Sequence, residues 1–247
     1  MDDYISKVKI LVAGEQGIVI DFGDEINVTI NRLIQELVKD LNDWALDGII
    51  EVVPTYRSII IYFDPLQITR DELTAGIKRF LAQMGKAEPK MITRRVIHVP
   101  VCYGGVFGPD IDFVVRRTKL SQEEVIRIHT SRQYLIYMLG FTPGFPYLGG
   151  LDEKLIVPKK VRDKIPTGSV GIAGRQTGFY TVESSGQWRL IGRTPIRAFY
   201  PDKPNPFLFE AGDYLQFKSI SVDEFFEIFS KVEDGSYNPE ITTFQSI

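Results

Sequence analysis

The sequence predicts a small α+β domain followed by a mainly-β domain, on three observations. Residues 1–90 alternate β-branched runs with amphipathic helical stripes. From Gly140 onward, Gly and Pro recur every few residues between short apolar runs, the punctuation of a β-barrel or sandwich. Between them, GKAEPK at Gly85–Lys90 breaks both periodicities, and its Pro89 cannot continue a helix. The resulting division is 1–90, 91–233 and a C-terminal tail, 234–247.

In the first domain, Val8–Ala13 and Gly17–Asp21 read as strands joined by a turn around Gly14, followed by a helical stripe of Ile30, Leu33, Ile34, Leu37, Val38 and Leu41. Ile49–Val53 and Ser58–Phe63 repeat the theme. A second helix starts after Thr69, whose hydroxyl and Glu72 form a capping box while Ile68 and Leu73 staple it. Together these make a ferredoxin-like βαββαβ plan with an extra strand. The second domain opens with strand Arg94–Val101 and the loop CYGGVFGPD. A helix follows from about Asp110, then one opening at Ser121 with Glu124 as box partner and Leu120 and Val125 as staple, expected to run to about Leu139. Ser169–Ala173, Trp188–Ile191 and Tyr214–Phe217 read as short strands. A last helix starts at Ser221 with Glu224 as box partner, and the segment from Asp234 reads as a polar, loosely held tail.

Composition removes several classes of function. With 44% hydrophobic residues in 247, the chain can bury a core. A net charge of -3 gives no general attraction for nucleic acid or anionic lipid, so neither is an expected partner. The single cysteine, Cys102, fits a reducing compartment, and MDDYISKVK carries no secretory pattern, so a cytoplasmic location is expected. No apolar run approaches the roughly 18 residues of a membrane span. No Walker A loop, GxGxxG, HExxH or CxxC occurs, and two histidines cannot build a histidine-rich metal site. GSVG at Gly168–Gly171 is not a GxSxG elbow.

What remains is GFTPGFPYLGG at Gly140–Gly150, PTGSVGIAGRQTGFY at Pro166–Tyr180 and LIGRTP at Leu190–Pro195. Two readings fit these glycines. They shape barrel corners and tight turns, or Gly168, Gly171 and Gly174 expose successive N–H groups as an anion nest to which Gln176 and Arg193 add donors. His129 likewise fits either a structural place on its helical stripe or the mouth of a site. The run Lys159, Lys160, Arg162 and Lys164 reads as a solvated face, and Phe141, Phe145 and Tyr147 as core or as stacking surfaces for a ligand.

These motifs, with IHVPVCYGGVFGPD at Ile97–Asp110, LSQEEVIRIHT at Leu120–Thr130, YMLGFTPGFPYLGGLD at Tyr137–Asp152 and PFLFEAGDYLQF at Pro206–Phe217, run in order along the second domain. The chain thereby resembles the family variously called allophanate hydrolase subunit 1, carboxyltransferase subdomains C and D, and the B subunit of 5-oxoprolinase, which also contains the sporulation kinase-A inhibitor (KipI-like). YRSIIIYFDP at Tyr56–Pro65 resembles the same family's first domain. The resemblance implies a cyclophilin-like β-barrel as the second domain. It also implies a non-autonomous role as the B subunit, working with a C subunit of related barrel fold and an A subunit, with ATP and Mg²⁺ used at the level of the complex. The implied reaction is hydrolysis of the 5-oxoproline (pyroglutamate) lactam to L-glutamate. On the matched motifs the expected catalytic residues are His129, Gln176 and Arg193. Substrate or phosphate binding is expected at Gly144, Phe145, Pro146, Gly168, Ser169, Gly171, Gly174 and Thr177, with no metal ligand. Thr181 and Ser185 stand where the family usually has prolines, and Gln187 where it commonly has glycine; Arg175 occupies a variable position and receives no role. The alternative implied by the same family is a regulator that binds a sensor histidine kinase. Prolyl isomerase activity would rest on barrel analogy alone.

Overall fold

The structure, a computed structural model, describes residues 2–84 and 91–246, which form two compact units. The expected boundary at Gly85–Lys90 lies outside the described residues. In the first unit, α1 (Asp2–Ile5) precedes strands β1 (Lys9–Val12) and β2 (Gly17–Asp21), helix α2 (Val28–Trp44), strands β3 (Ile49–Pro54) and β4 (Ser58–Phe63), and helix α3 (Arg70–Met84). The four strands form one antiparallel sheet in the order β1-β2-β4-β3. The expected βαββαβ plan is thus realised as ββαββα among the described residues: the extra strand is β1, paired by a hairpin beside β2, and no described strand follows α3 within this unit.

Local chemistry explains these helices. Asn27 caps α2 by accepting the Thr29 N–H at 2.7 Å. At α3, the Thr69 N–H donates to Glu72 at 3.0 Å and the Glu72 N–H donates to the Thr69 hydroxyl at 3.3 Å, closing the box read from sequence. The stripe Ile30, Leu33, Ile34, Leu37 and Leu41 is buried against Ile18, Ile20, Ile59 and Ile61 of the sheet.

The second unit contains strand β5 (Ile92–Tyr103), helices α4 (Ile111–Thr118) and α5 (Gln122–Thr130), strands β6 (Tyr134–Leu139) and β7 (Pro146–Leu148), and a 3₁₀ turn at Glu153–Leu155. There follow β8 (Arg162–Ile165), β9 (Ser169–Ala173), β10 (Gln176–Phe179), β11 (Ser184–Gly186), β12 (Arg189–Arg193), β13 (Tyr214–Ser219), α6 (Val222–Glu233) and β14 (Ile241–Ser246). The main sheet runs β10-β9-β12-β5-β13-β6-β7, with β14 also on β5, while β8 and β11 form a separate pair. Its two ends meet: a Cβ added at Gly178 in β10 would lie 3.1 Å from the Pro146 carbonyl oxygen in β7. The sheet is therefore a nearly closed barrel around a core that includes Val99, Tyr134, Val170, Phe179, Ile191 and Phe217.

Two expectations need correction. The helix opened by the Ser121–Glu124 box stops at Thr130 instead of reaching Leu139, and Tyr134–Leu139 becomes β6. Tyr134, Leu135, Ile136 and Tyr137 are all buried, which a one-sided helical stripe does not achieve, and the Tyr134 hydroxyl donates to the terminal His129 carbonyl at 2.8 Å. The segment from Asp234 is not loose throughout, because Ile241–Ser246 pairs antiparallel with Ile92–Ile97. Its alternation is polar because its side chains are mostly exposed, and ladder hydrogen bonds rather than burial hold it. Among the described residues no helix is long and apolar enough to cross a membrane.

In α3, Gly76 makes room for Trp44, and a Cβ there would collide with the indole ring. Gly→Ala inside a helix ordinarily stabilises by about 0.5–1 kcal/mol, whereas overpacking costs about 1–3 kcal/mol. Gly76→Ala is therefore expected to lower stability. Urea unfolding followed by circular dichroism measures it, and an unchanged or raised midpoint would contradict the Trp44 packing.

Candidate active site

The barrel unit carries a cleft of about 480 Å³ whose walls are aromatic. Phe145, Tyr180 and Trp188 are nearly buried and meet edge-on or tilted, with ring centroids 5.5 Å apart from Phe145 to each partner and 5.9 Å between Tyr180 and Trp188. Tyr147 packs on Phe145 at 5.3 Å. Phe141 stands at the mouth, 61% exposed, with its backbone in the left-handed region at φ 63°. A bulky residue held there costs on the order of 1–3 kcal/mol, a strain that clusters at functional sites. The Tyr180 hydroxyl accepts the backbone N–H groups of Gln187 and Trp188, and burial outweighs them to push its pKa up to about 12.

Polar groups enter this apolar frame from two sides. Gln176, half-buried at the start of β10, lines the cleft together with Lys159, Arg162, Asp163 and Gln187. Arg162 is oriented from beneath by Asp110, which is 3% exposed. Asp110 accepts from Arg162 at 2.9 Å, from Lys160 at 2.6 Å and from the Leu190 N–H at 2.9 Å. Burial alone would raise the Asp110 pKa, but these hydrogen bonds outweigh it and hold the carboxyl below its usual range. The Arg162 Nε–H is buried and meets no acceptor among the described residues. The cleft thus offers a cationic donor, a carboxamide and flat apolar walls.

The other sequence-predicted residues are placed differently. The glycine amides do not form a nest. The Gly168 N–H donates to Tyr180 O at 2.7 Å, the Gly174 N–H donates to Val157 O at 2.8 Å, and Gly171 is paired on both sides in the sheet. What Gly171 and Gly178 supply is space: Trp188 lies across this cross-strand pair, and a Cβ on either would approach it at 3.1 Å. Gly168, at φ 81°, makes the turn into β9. Gly144, at φ 73°, turns the chain into β7 beside the Ala198 carbonyl, which leads Phe145 to the cleft and Pro146 to the strand. Ser169 is buried. Arg193 pairs with Ser169 whereas Gln176 pairs with Ala173, so the two lie at opposite ends of β9, about 13 Å apart along it. The Arg193 Nε–H donates to Thr167 O at 2.9 Å and braces the turn before Gly168.

His129 is fully buried between barrel groups. Its Nδ1 lies 2.7 Å from the Tyr103 hydroxyl and its Nε2 2.7 Å from the Thr177 hydroxyl, and its ring stacks on Phe217 at 4.5 Å. Thr177 also donates to Gly171 O at 3.1 Å. A hydroxyl has one proton, so all contacts are satisfied when Thr177 accepts from Nε2–H and Tyr103 donates to Nδ1. His129 is then a neutral bolt between α5 and β10 with both nitrogens in use.

The profile of the carboxyltransferase domain, subdomain C and D, matches residues 8–209. This chain belongs to that family. Among its relatives, the B subunit of 5-oxoprolinase from Bacillus subtilis is 38% identical over 86% of this chain and 92% of its own length. The corresponding B subunit from Escherichia coli O157:H7 is 33% identical over 86% of this chain and 96% of its own. The crystal structure of TTHA0988 superposes with a TM-score of 0.74 at 32% identity over 83% of this chain, which spans only 40% of that longer chain.

Within this subdomain C and D chain, sequence reading missed Asp110, Arg162, Tyr180 and Trp188. The basic run contained the signal for Arg162, but only folding shows that Lys160 and Arg162 converge on one buried carboxylate, while Lys164 pairs with Glu183 and the exposed Arg175 pairs with Glu153.

Burial pushes the His129 pKa down from 6.5 to about 3. Between those values the unfolded chain binds a proton that the folded chain refuses, so stability is lost as pH falls through 6.5 toward 3. His98, pushed down by burial and by Lys218 against the opposing pull of Glu240, acts in the same direction. The slope expected from His129 is about 1.4 kcal/mol per pH unit below 6. Urea unfolding at pH 7 and pH 5 should show this loss, reduced in His129→Gln; equal slopes in both proteins would contradict the neutral, buried state.

Proposed function

We propose that this chain is the B subunit of an ATP-dependent 5-oxoprolinase, opening the 5-oxoproline lactam to L-glutamate together with A and C subunits. The observation that carries this reading is the 38% identity with the Bacillus subtilis 5-oxoprolinase component across 92% of that protein. The chemistry of the cleft supports it. 5-Oxoproline is a flat five-membered lactam bearing one carboxylate. Its ring faces fit between aromatic walls, and its carboxylate fits Arg162 and Lys159. The Gln176 carboxamide can donate to the lactam carbonyl and accept from the lactam N–H. A volume of about 480 Å³ is in the range of small-molecule sites.

Hydrolysis adds water across the lactam C–N bond. The water oxygen ends on the carbonyl carbon, and the ring nitrogen leaves as the α-amine with the protons. ATP, used with Mg²⁺ by the complex, supplies the activation that a resonance-stabilised amide needs. In this chain the Gly168, Gly171 and Gly174 N–H groups are committed to the fold. Its own contribution is to bind, to orient the amide through Gln176 and to exclude water from the ring faces.

Measuring glutamate release from 5-oxoproline tests the reading. The isolated chain with ATP and Mg²⁺ should be inactive and the assembled A, B and C subunits active; robust turnover by the chain alone would overturn the subunit role. In the complex, Gln176→Ala should lower kcat/KM on the order of 10²-fold. Arg193→Ala should instead lose about 1 kcal/mol of stability, with activity following the folded fraction. Unchanged kinetics in Gln176→Ala would remove the cleft from the reaction.

A further inference from the structure

α6 carries two apolar stripes where its own fold needs one. Phe225 and Val232 are buried against the barrel unit, whereas Val222, Phe226 and Phe229, spaced i, i+4 and i+7, point outward with 49%, 59% and 44% of their surface exposed. A second element extends the same patch. The loop after β5 turns through Gly104 and Gly105, at φ 74° and 51°, and presents Val106 at 90% exposure. The next residue, Phe107, lies 4.6 Å from Phe225 and 6.3 Å from Phe226, ring to ring. Loop and helix are thus fastened together, and N–H donation from Phe107 and Gly108 to Gly104 O, at 3.1 and 2.8 Å, closes the loop internally. A contiguous apolar surface built from two preorganised elements marks an interaction site, in contrast to isolated exposed residues.

We infer that this face docks a different polypeptide, one that presents an apolar centre with basic side chains around it; this rests on the subunit reading above. The charge at the rim selects the partner. Glu227 is paired with Lys231 and Glu233 with Arg197, and the Glu224 carboxylate is held by the Ser221 cap, but Asp223 makes no ion pair among the described residues. A second copy of this chain would set that carboxylate against its own kind, whereas a basic rim would complement it. The solved relative TTHA0988, of whose length this chain spans 40%, carries further protein beyond the matched part.

The test uses the full chain with the purified A and C subunits of its own organism, each titrated separately in binding measurements and size exclusion. Wild type should bind one of them, and Phe226→Asp combined with Phe229→Asp should weaken that binding at least 100-fold, while circular dichroism and a cooperative melting transition show the variant still folded. Asp223→Arg should slow association, and Val12→Asp on the first unit should leave binding intact. Equal affinity of wild type and the double variant would overturn the inference and leave the subunit reading standing. Failure of wild type to bind either of the two would overturn both. A wild-type dimer split by the double variant would assign the face to copies of this chain and overturn the proposed partner.

Discussion

A sheet that nearly closes on itself consumes the backbone donors of its strands, and in the barrel unit this constraint decides what the glycine-rich segment can do. The Gly168 and Gly174 N–H groups donate to Tyr180 and Val157, and Gly171 is paired by both β10 and β12. These three glycine amides therefore do not cradle an anion. The missing side chains at Gly171 and Gly178 instead let Trp188 lie flat across two strands, and Trp188 is one wall of the cleft. The glycines serve the site through packing.

The cleft's charge is organised by a second buried group. Asp110 ties the start of α4 to the Leu190 N–H of β12 and to Lys160 and Arg162 beside β8. Removing a carboxylate of this kind would leave two cations and a buried N–H without their partner, which is why its loss would reach Arg162 in the cleft. His129 plays the equivalent mechanical part on the other side, joining α5 to β10 through Thr177 and to β5 through Tyr103.

Much of this architecture was legible because its signals are local. The boxes at Thr69, Ser121 and Ser221 involve residues three apart, and all three close as their spacing requires. The α2 stripe is buried as its periodicity demands. Legibility failed where the deciding neighbour is distant. Tyr134–Leu139 continues an apolar helical pattern, yet its partners are β7 and β13, the latter some 80 residues away in register pairs such as Leu135 with Tyr214. Ile241–Ser246 looks like tail because its stabilisation comes mostly from ladder bonds to β5, with Phe244 packed on Tyr214, and its side chains are otherwise largely exposed.

The sequence by itself determined the family through an ordered set of motifs, and the capped helix starts and the α2 stripe, since each follows from near neighbours or from residue identity. Only tertiary structure decided that Arg193 stands about 13 Å along β9 from Gln176, that His129 is sealed in the interior, and that Asp110, Arg162, Tyr180 and Trp188 meet around one cleft. Register sets those positions. Sheet pairing and closure join residues tens of positions apart, and no local pattern in the chain encodes which of them will meet.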